Sequence, residues 1–154
     1  MRAQRGFSLI ELLIVVAILL ILAAIAIPSF LDSKMRANES SAVGSLRQIG
    51  TAQSTYSITY PDVGYATALS NLGPGTPTTS TTAGLIDDVL GCAGTTCNKS
   101  GYGFTLTTGT GFYSVTATPV TVGQSGRRSF YNDSSGVIRF NTAGTTATIG
   151  DSPL

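Results

Sequence analysis

The sequence contains no histidine and no tryptophan, and only two cysteines among its 154 residues. Without histidine, Ser-His-Asp and Cys-His nucleophile systems are excluded. Two cysteines alone fall about two ligands short of a structural zinc site. Charge is scarce too: 11% of residues are charged, nine basic against eight acidic. Beyond Ile27 the basic residues (Lys34, Arg36, Arg47, Lys99, Arg127, Arg128, Arg139) balance the acidic ones (Asp32, Glu39, Asp62, Asp87, Asp88, Asp133, Asp151). Such a balance supplies neither the basic field that attracts nucleic acid nor an acidic tail, so no nucleic-acid partner is expected. Arg127-Arg128 is the only basic doublet and reads as a solvated turn.

Residues capable of chemistry do not assemble into a motif. Asp87 and Asp88 are adjacent, would diverge on either regular element, and read as a solvated turn or helix start. Asp133-Ser134-Ser135-Gly136 lacks the oxygen-ligand spacing of an EF-hand. The glycine pairs 101/103 and 109/111 lack the third glycine and following helix of a dinucleotide loop. No catalytic residue, cofactor or metal site is expected, and the chain is not read as an enzyme.

What is present is one long apolar run. From Phe7 to Ile27 only Ser8 and Glu11 are polar. As a helix, about 21 residues span roughly 31 Å, the thickness of a hydrocarbon core. Arg2 and Arg5 precede the run, which keeps the N-terminus cytoplasmic and sends the remainder across. Three readings fit. A secretory signal peptide would use Ala24-Ile25-Ala26 as its small-x-small cleavage site, but its apolar region is usually shorter, about 7–15 residues. An uncleaved single-pass anchor explains the length and gives Glu11 no task. The third reading supplies Glu11 with a partner. Insertion scales charge roughly 2.5–3.5 kcal/mol for an ionised group at the centre of a membrane helix. A cut between Gly6 and Phe7 would create an α-amine at Phe7, with an ordinary pKa of about 7.7–8.0. That amine would lie one helical turn from Glu11, or in reach of Glu11 on a neighbouring subunit.

A short basic leader ending in Gly6, then Phe7, then Glu11, then an unbroken apolar run, resembles the class III signal of type IV prepilins and of type II secretion pseudopilins. The stretch "FSLIELLIVVAILLILAAIAIPSF" matches that family closely, including Pro28 at the family's helix-bending position. The resemblance is strongest from Gly6 to about Tyr56. It implies a prepilin peptidase that cuts after Gly6 and N-methylates Phe7, and a Glu11 that neutralises the Phe7 amine of an adjacent subunit during filament assembly. One position departs from the pattern: Leu20 stands where many type IV pilins have a glycine. Pro28 alone removes one backbone hydrogen bond and clashes with the Ala24 carbonyl, so a kink is expected there.

After Pro28 the pattern becomes amphipathic. Met35, Ala42, Leu46, Ile49 and Tyr56 share one helical face, with Arg36, Glu39, Arg47 and Gln48 read as lying off it. Pro61 pushes Tyr60 towards extended geometry and marks the expected end of the helix, near Thr59. The stripe needs a partner, and only the C-terminal half can supply one.

In that half, residues 73–84 ("GPGTPTTSTTAG") have no periodicity and read as a surface loop. "YGFTLTT" and "FYSVTAT" alternate around Gly109-Thr110-Gly111 and read as a hairpin, with Tyr102, Phe104, Leu106, Tyr113 and Val115 on one face. "RSFYND" and "GVIRFN" read as a second hairpin. Cys92 and Cys97, an even count in a translocated domain, favour a disulfide.

The expected fold is α+β and pilin-like: a long N-terminal helix packed on an antiparallel sheet of about four strands. The expected organisation is a cleaved leader at 1–6, a transmembrane and filament-core helix at 7–27, its amphipathic continuation at 28–59, and a β head at 60–154. The expected function is a structural subunit of a type IV pilus-like filament, inserted in the bacterial inner membrane with its head in the periplasm and later displayed at the cell surface. Its expected partners are further copies of itself in a helical filament, the prepilin peptidase, and a pilus or secretion assembly platform. The alternatives are a pseudopilin of a type II secretion system and a minor pilin acting as a DNA- or surface-binding tip. Adhesion, motility, DNA uptake and electron transfer stay open as roles.

Overall fold

The computed structural model describes residues 7–154. The elements are helix α1 (Leu9–Thr59), the short helix α2 (Leu69–Leu72), and strands β1 (Thr96–Lys99), β2 (Tyr102–Gly109), β3 (Phe112–Pro119), β4 (Ser129–Asp133), β5 (Arg139–Asn141) and β6 (Ser152–Pro153). The chain divides into two compact units, one ending at Lys34 and the other comprising Met35–Leu154.

In the first unit the side chains of Phe7 to Leu31 are apolar on every side of the helix and almost all exposed. A helix that is apolar all round is stable only in lipid or among other apolar surfaces.

The second unit is organised by the stripe on α1. Its buried positions are Met35, Glu39, Ala42, Leu46, Ile49, Gln53 and Tyr56, spaced alternately by four and three residues, with Val43, Ser45 and Ala52 beside them. Glu39 therefore lies on the stripe, not off it as its charge had indicated: it follows Met35 by four residues and precedes Ala42 by three. Arg36, Arg47 and Gln48 are exposed, as the pattern required. The helix stops where Pro61 forbids another turn; the Tyr60 N–H still donates to the Tyr56 carbonyl, at 2.8 Å.

The sheet is a six-stranded antiparallel meander in the order β1-β2-β3-β4-β5-β6. The four expected strands are present, and two short edge strands, β1 and β6, extend the sheet on either side. With four and two residues, neither is long enough to show an alternating pattern. In the β2–β3 hairpin Gly109 pairs with Phe112, so the turn is Thr110-Gly111 alone, and Gly111 takes the left-handed φ of 78° that glycine adopts without strain. Tyr102 and Phe104 on β2, Tyr113, Val115 and Ala117 on β3, and Phe130 on β4 are all buried and join Ala42, Leu46, Ile49 and Tyr56 of α1 in one core. Each such large side chain contributes about 1.5–3 kcal/mol when fully buried.

Residues 74–79 of the glycine- and threonine-rich stretch are exposed, as a surface loop should be. The stretch is nonetheless anchored. The Tyr56 hydroxyl donates to the Ser80 carbonyl at 2.5 Å, and Ala83, Gly84 and Leu85 return along α2 with 2.8 Å backbone hydrogen bonds to Asn71, Gly73 and Leu72.

Candidate functional site in the N-terminal segment

Ser8 immediately precedes α1 and Glu11 follows it by three residues, the Ser-x-x-Glu spacing of a capping box. The Ser8 backbone N–H donates to Glu11 Oε2 at 2.9 Å, and the Leu12 N–H to the Ser8 carbonyl at 3.2 Å. The carboxylate thus satisfies a backbone donor at the positive end of the helix dipole, a local role that the spacing in the sequence already permits and that the reading of Glu11 as an ion-pair partner did not include. Glu11 forms no ion pair among the described residues. Phe7 is exposed. Gly6 lies outside the described residues. Pro28 sits inside α1, which continues to Thr59. Among the described residues α1 is the one helix long and apolar enough to cross a membrane, and none of its most apolar 18-residue window is buried.

The remaining predicted site residues belong to the second unit. Cys92 and Cys97 form a disulfide with a Cα–Cα distance of 5.7 Å. Cys97 is fully buried in β1, so the bond ties the preceding loop to the sheet edge. Asp87 begins the turn before that loop. Its Oδ1 accepts from the Leu90 N–H at 2.8 Å and its Oδ2 pairs with Lys99 Nζ at 2.5 Å. The Lys99 ammonium, followed by the Leu90 N–H, holds the Asp87 carboxyl below its ordinary range. Among the described residues no cluster of His, Cys, Asp or Glu is disposed to hold a metal.

The arginine doublet is more than a solvated turn. Glu39 Oε1 accepts the backbone N–H groups of Arg127 (2.9 Å) and Arg128 (3.2 Å), and Glu39 Oε2 accepts Arg128 Nε at 2.8 Å. The Arg128 guanidinium also lies 5.5 Å from the ring centres of both Phe130 and Phe140. Tyr102 donates its hydroxyl to the Arg128 carbonyl at 2.7 Å. Burial pushes the Glu39 carboxyl up, but the three N–H donors and the Arg128 charge outweigh it and leave the carboxyl below the usual range. A lone acidic residue on an apolar stripe was the available signal in the sequence.

The model of the family described as "Prokaryotic N-terminal methylation motif" matches residues 1–27. Part of the chain is also similar to named fibre proteins. It is 53% identical over 53 residues to the type IV major pilin protein PilA of Myxococcus xanthus, covering 34% of this chain and 24% of that one. It is 54% identical over 52 residues to a fimbrial protein of Pseudomonas aeruginosa, covering 34% of each chain. These likenesses cover about a third of this chain. It is also 47% identical over 58 residues to the type IV wide pilus major component PilA4 of Thermus thermophilus, covering 38% of this chain and 44% of that one. The chain therefore spans well under half the length of the curated relatives it matches. No solved structure matches it.

Proposed function

We propose that this chain is a pilin, the structural subunit of a type IV pilus-like filament. The observation that carries the proposal is the coincidence of the methylation motif at residues 1–27 with a helix whose apolar surface is exposed on all sides. Residues 1–6 are the leader, cut by a membrane-embedded prepilin peptidase between Gly6 and Phe7, whose new amine is then methylated. Residues 7–27 hold the chain in the inner membrane with the head in the periplasm, and later bundle with the same segment of other copies in the filament core. Residues 28–59 continue the helix under the β head at 60–154, and Pro28 bends it. Glu11 gives the assembly its register. Its carboxylate leaves the Ser8 N–H of its own chain and pairs with the Phe7 amine of the neighbouring subunit, so that two desolvated charges are satisfied only on assembly.

The test is the mass of the N-terminal peptide in material sheared from the cell surface. The proposal requires a peptide beginning at N-methylated Phe7 in that fraction. The same peptide confined to membranes would favour a pseudopilin or minor pilin, and one beginning at Ile27 would identify an ordinary export signal and overturn the proposal.

A further inference from the structure

The second unit begins at Met35, and one loop packs against the first helical turn there. Residues 120–126 join β3 to the arginine doublet and fold on themselves. The Ser125 N–H donates to the Thr121 carbonyl at 2.9 Å, the Thr121 N–H to Ser125 Oγ at 3.0 Å, and the Gly123 N–H to the Gly126 carbonyl at 2.9 Å. Contacts to α1 fasten the loop in place. Asn38 Nδ2 donates to the Ser125 carbonyl at 2.8 Å, and the Glu39 carboxylate receives the Arg127 and Arg128 N–H groups that follow the loop.

This fixed loop turns apolar side chains outward. Val120 is 61% exposed and Val122 is 55% exposed. Positive charge gathers at the same end. Arg36, Arg127 and Arg128 lie there, and the carboxylate set among them, Glu39, is nearly buried and already paired with Arg128. The remaining charged residues of the unit have the opposite sign in excess: Asp62, Asp87, Asp88, Asp133 and Asp151 against Arg47, Lys99 and Arg139. The balanced composition thus conceals a basic, apolar end and an acidic remainder.

Apolar tips flanked by cations suit the boundary of an anionic bilayer. Valines enter below the headgroups, arginine stems lie along the boundary, and guanidinium groups meet phosphates. Chain connectivity points to the same partner, because Arg36 follows Leu31 of the exposed apolar run by only five residues on one unbroken helix. We propose that, before assembly, the second unit docks on an anionic lipid surface through Val120, Val122, Arg36 and Arg127. The proposal rests on the reading of residues 7–27 as a membrane anchor and goes beyond it, since an anchor alone gives the head no lipid contact of its own.

The test uses unassembled full-length chain in vesicles of phosphatidylglycerol and phosphatidylcholine, and a sequence without tryptophan makes a single reporter readable. Val122→Trp places the reporter on the loop, with Val120→Trp as a second variant should the first fail to fold by circular dichroism. Val63→Trp is the control: the Val63 N–H bonds to the Tyr60 carbonyl at 3.0 Å, and Tyr60 is about 37 Å along the helix from Met35. Phosphatidylcholine brominated near the top of its acyl chains should quench the loop reporter at least about twofold more than the control. Omitting phosphatidylglycerol, or adding Arg36→Gln and Arg127→Gln, should cut that quenching at least about twofold. If the chain floats with the vesicles but quenching is equal at both positions, or indifferent to phosphatidylglycerol, the proposal is overturned and the anchor stands. A chain that does not float overturns the anchor reading and the proposal with it. Loop emission that shifts to the blue only as protein crowds the vesicles, without lipid quenching, would mean that a second copy covers the loop, and overturns the proposal as well.

Discussion

Glu39 and Arg128, 89 residues apart in sequence, meet in a 2.8 Å ion pair in which the carboxylate is nearly buried and the guanidinium is partly exposed. The carboxylate takes three donors at once, two of them backbone N–H groups of the β3–β4 connection. It therefore works less as a charge on the helix surface than as the fastener that holds this connection against α1.

The consequence for pH follows from the sign of the shift. Glu39 is held below its ordinary value of 4.5, so its contribution is fully present above about pH 4.5 and is lost as pH falls below that through the folded-state value. Asp87, also lowered, loses its contribution in the same direction, below its ordinary 3.8. The thermal midpoint should stay flat between pH 7 and 5 and drop on further acidification. Glu39→Gln should lower stability at pH 7 by about 2 kcal/mol, because the Arg128 Nε–H loses its acceptor to an amide NH2 and the two backbone donors keep only a neutral carbonyl oxygen. Its midpoint should fall by about 5–10 °C and depend less on acid. An acid profile identical to wild type would show that Glu39 is not the group responsible.

The Cys92–Cys97 disulfide closes a sequence separation of five residues. In the chain-entropy model so short a ring restricts the unfolded state by about 2 kcal/mol. Reduction, or Cys92→Ser paired with Cys97→Ala, should lower the midpoint by a similar 5–10 °C without unfolding the head. Thermal denaturation with and without reductant checks this; loss of the sheet signal at 25 °C would mean that the bond is required for the fold.

Periodicity made most of the fold legible. The stripe from Met35 to Tyr56, its end at Thr59 and both central hairpins follow from spacings of three, four and two, because those spacings decide which side chains can share a buried face. The short edge strands did not show, since their pairing is decided by the neighbouring strands β2 and β5 and not by their own side chains. Glu39 was misplaced for a related reason. Its charge predicts exposure on its own, and its burial depends on donors from Arg127 and Arg128 that no local pattern announces. Glu11 was legible as an oddity in an apolar run, whereas its use as a cap on Ser8 needed the Ser-x-x-Glu spacing to be weighed against the membrane argument.

The proposed processing would place the bond between Gly6 and Phe7 in a peptidase site, where a residue with no side chain allows close approach of the backbone. Gly6→Asp should leave the precursor uncut, retained in membranes and longer by the leader of residues 1–6. Immunoblotting of membrane and sheared fractions distinguishes the two species. Mature-sized Gly6→Asp protein at wild-type levels would place the cut elsewhere.

Glu11→Ala separates anchoring from assembly. Removing a carboxylate makes the apolar run more apolar, so insertion and cutting after Gly6 should proceed as in wild type. Within one chain the loss is a single capping contact at Ser8, worth about 1 kcal/mol, which a long membrane helix tolerates. Between chains the Phe7 amine would lose its counter-charge in apolar surroundings, and a loss of even about 1.4 kcal/mol per subunit contact weakens each addition tenfold. Sheared filament should fall by at least about tenfold while the processed subunit accumulates in the membrane. Glu11→Gln sharpens the comparison, because it keeps an acceptor for the Ser8 N–H and removes the charge. If Glu11→Gln assembles normally and Glu11→Ala does not, the cap is what assembly needs; if both fail alike, the ion pair with Phe7 is.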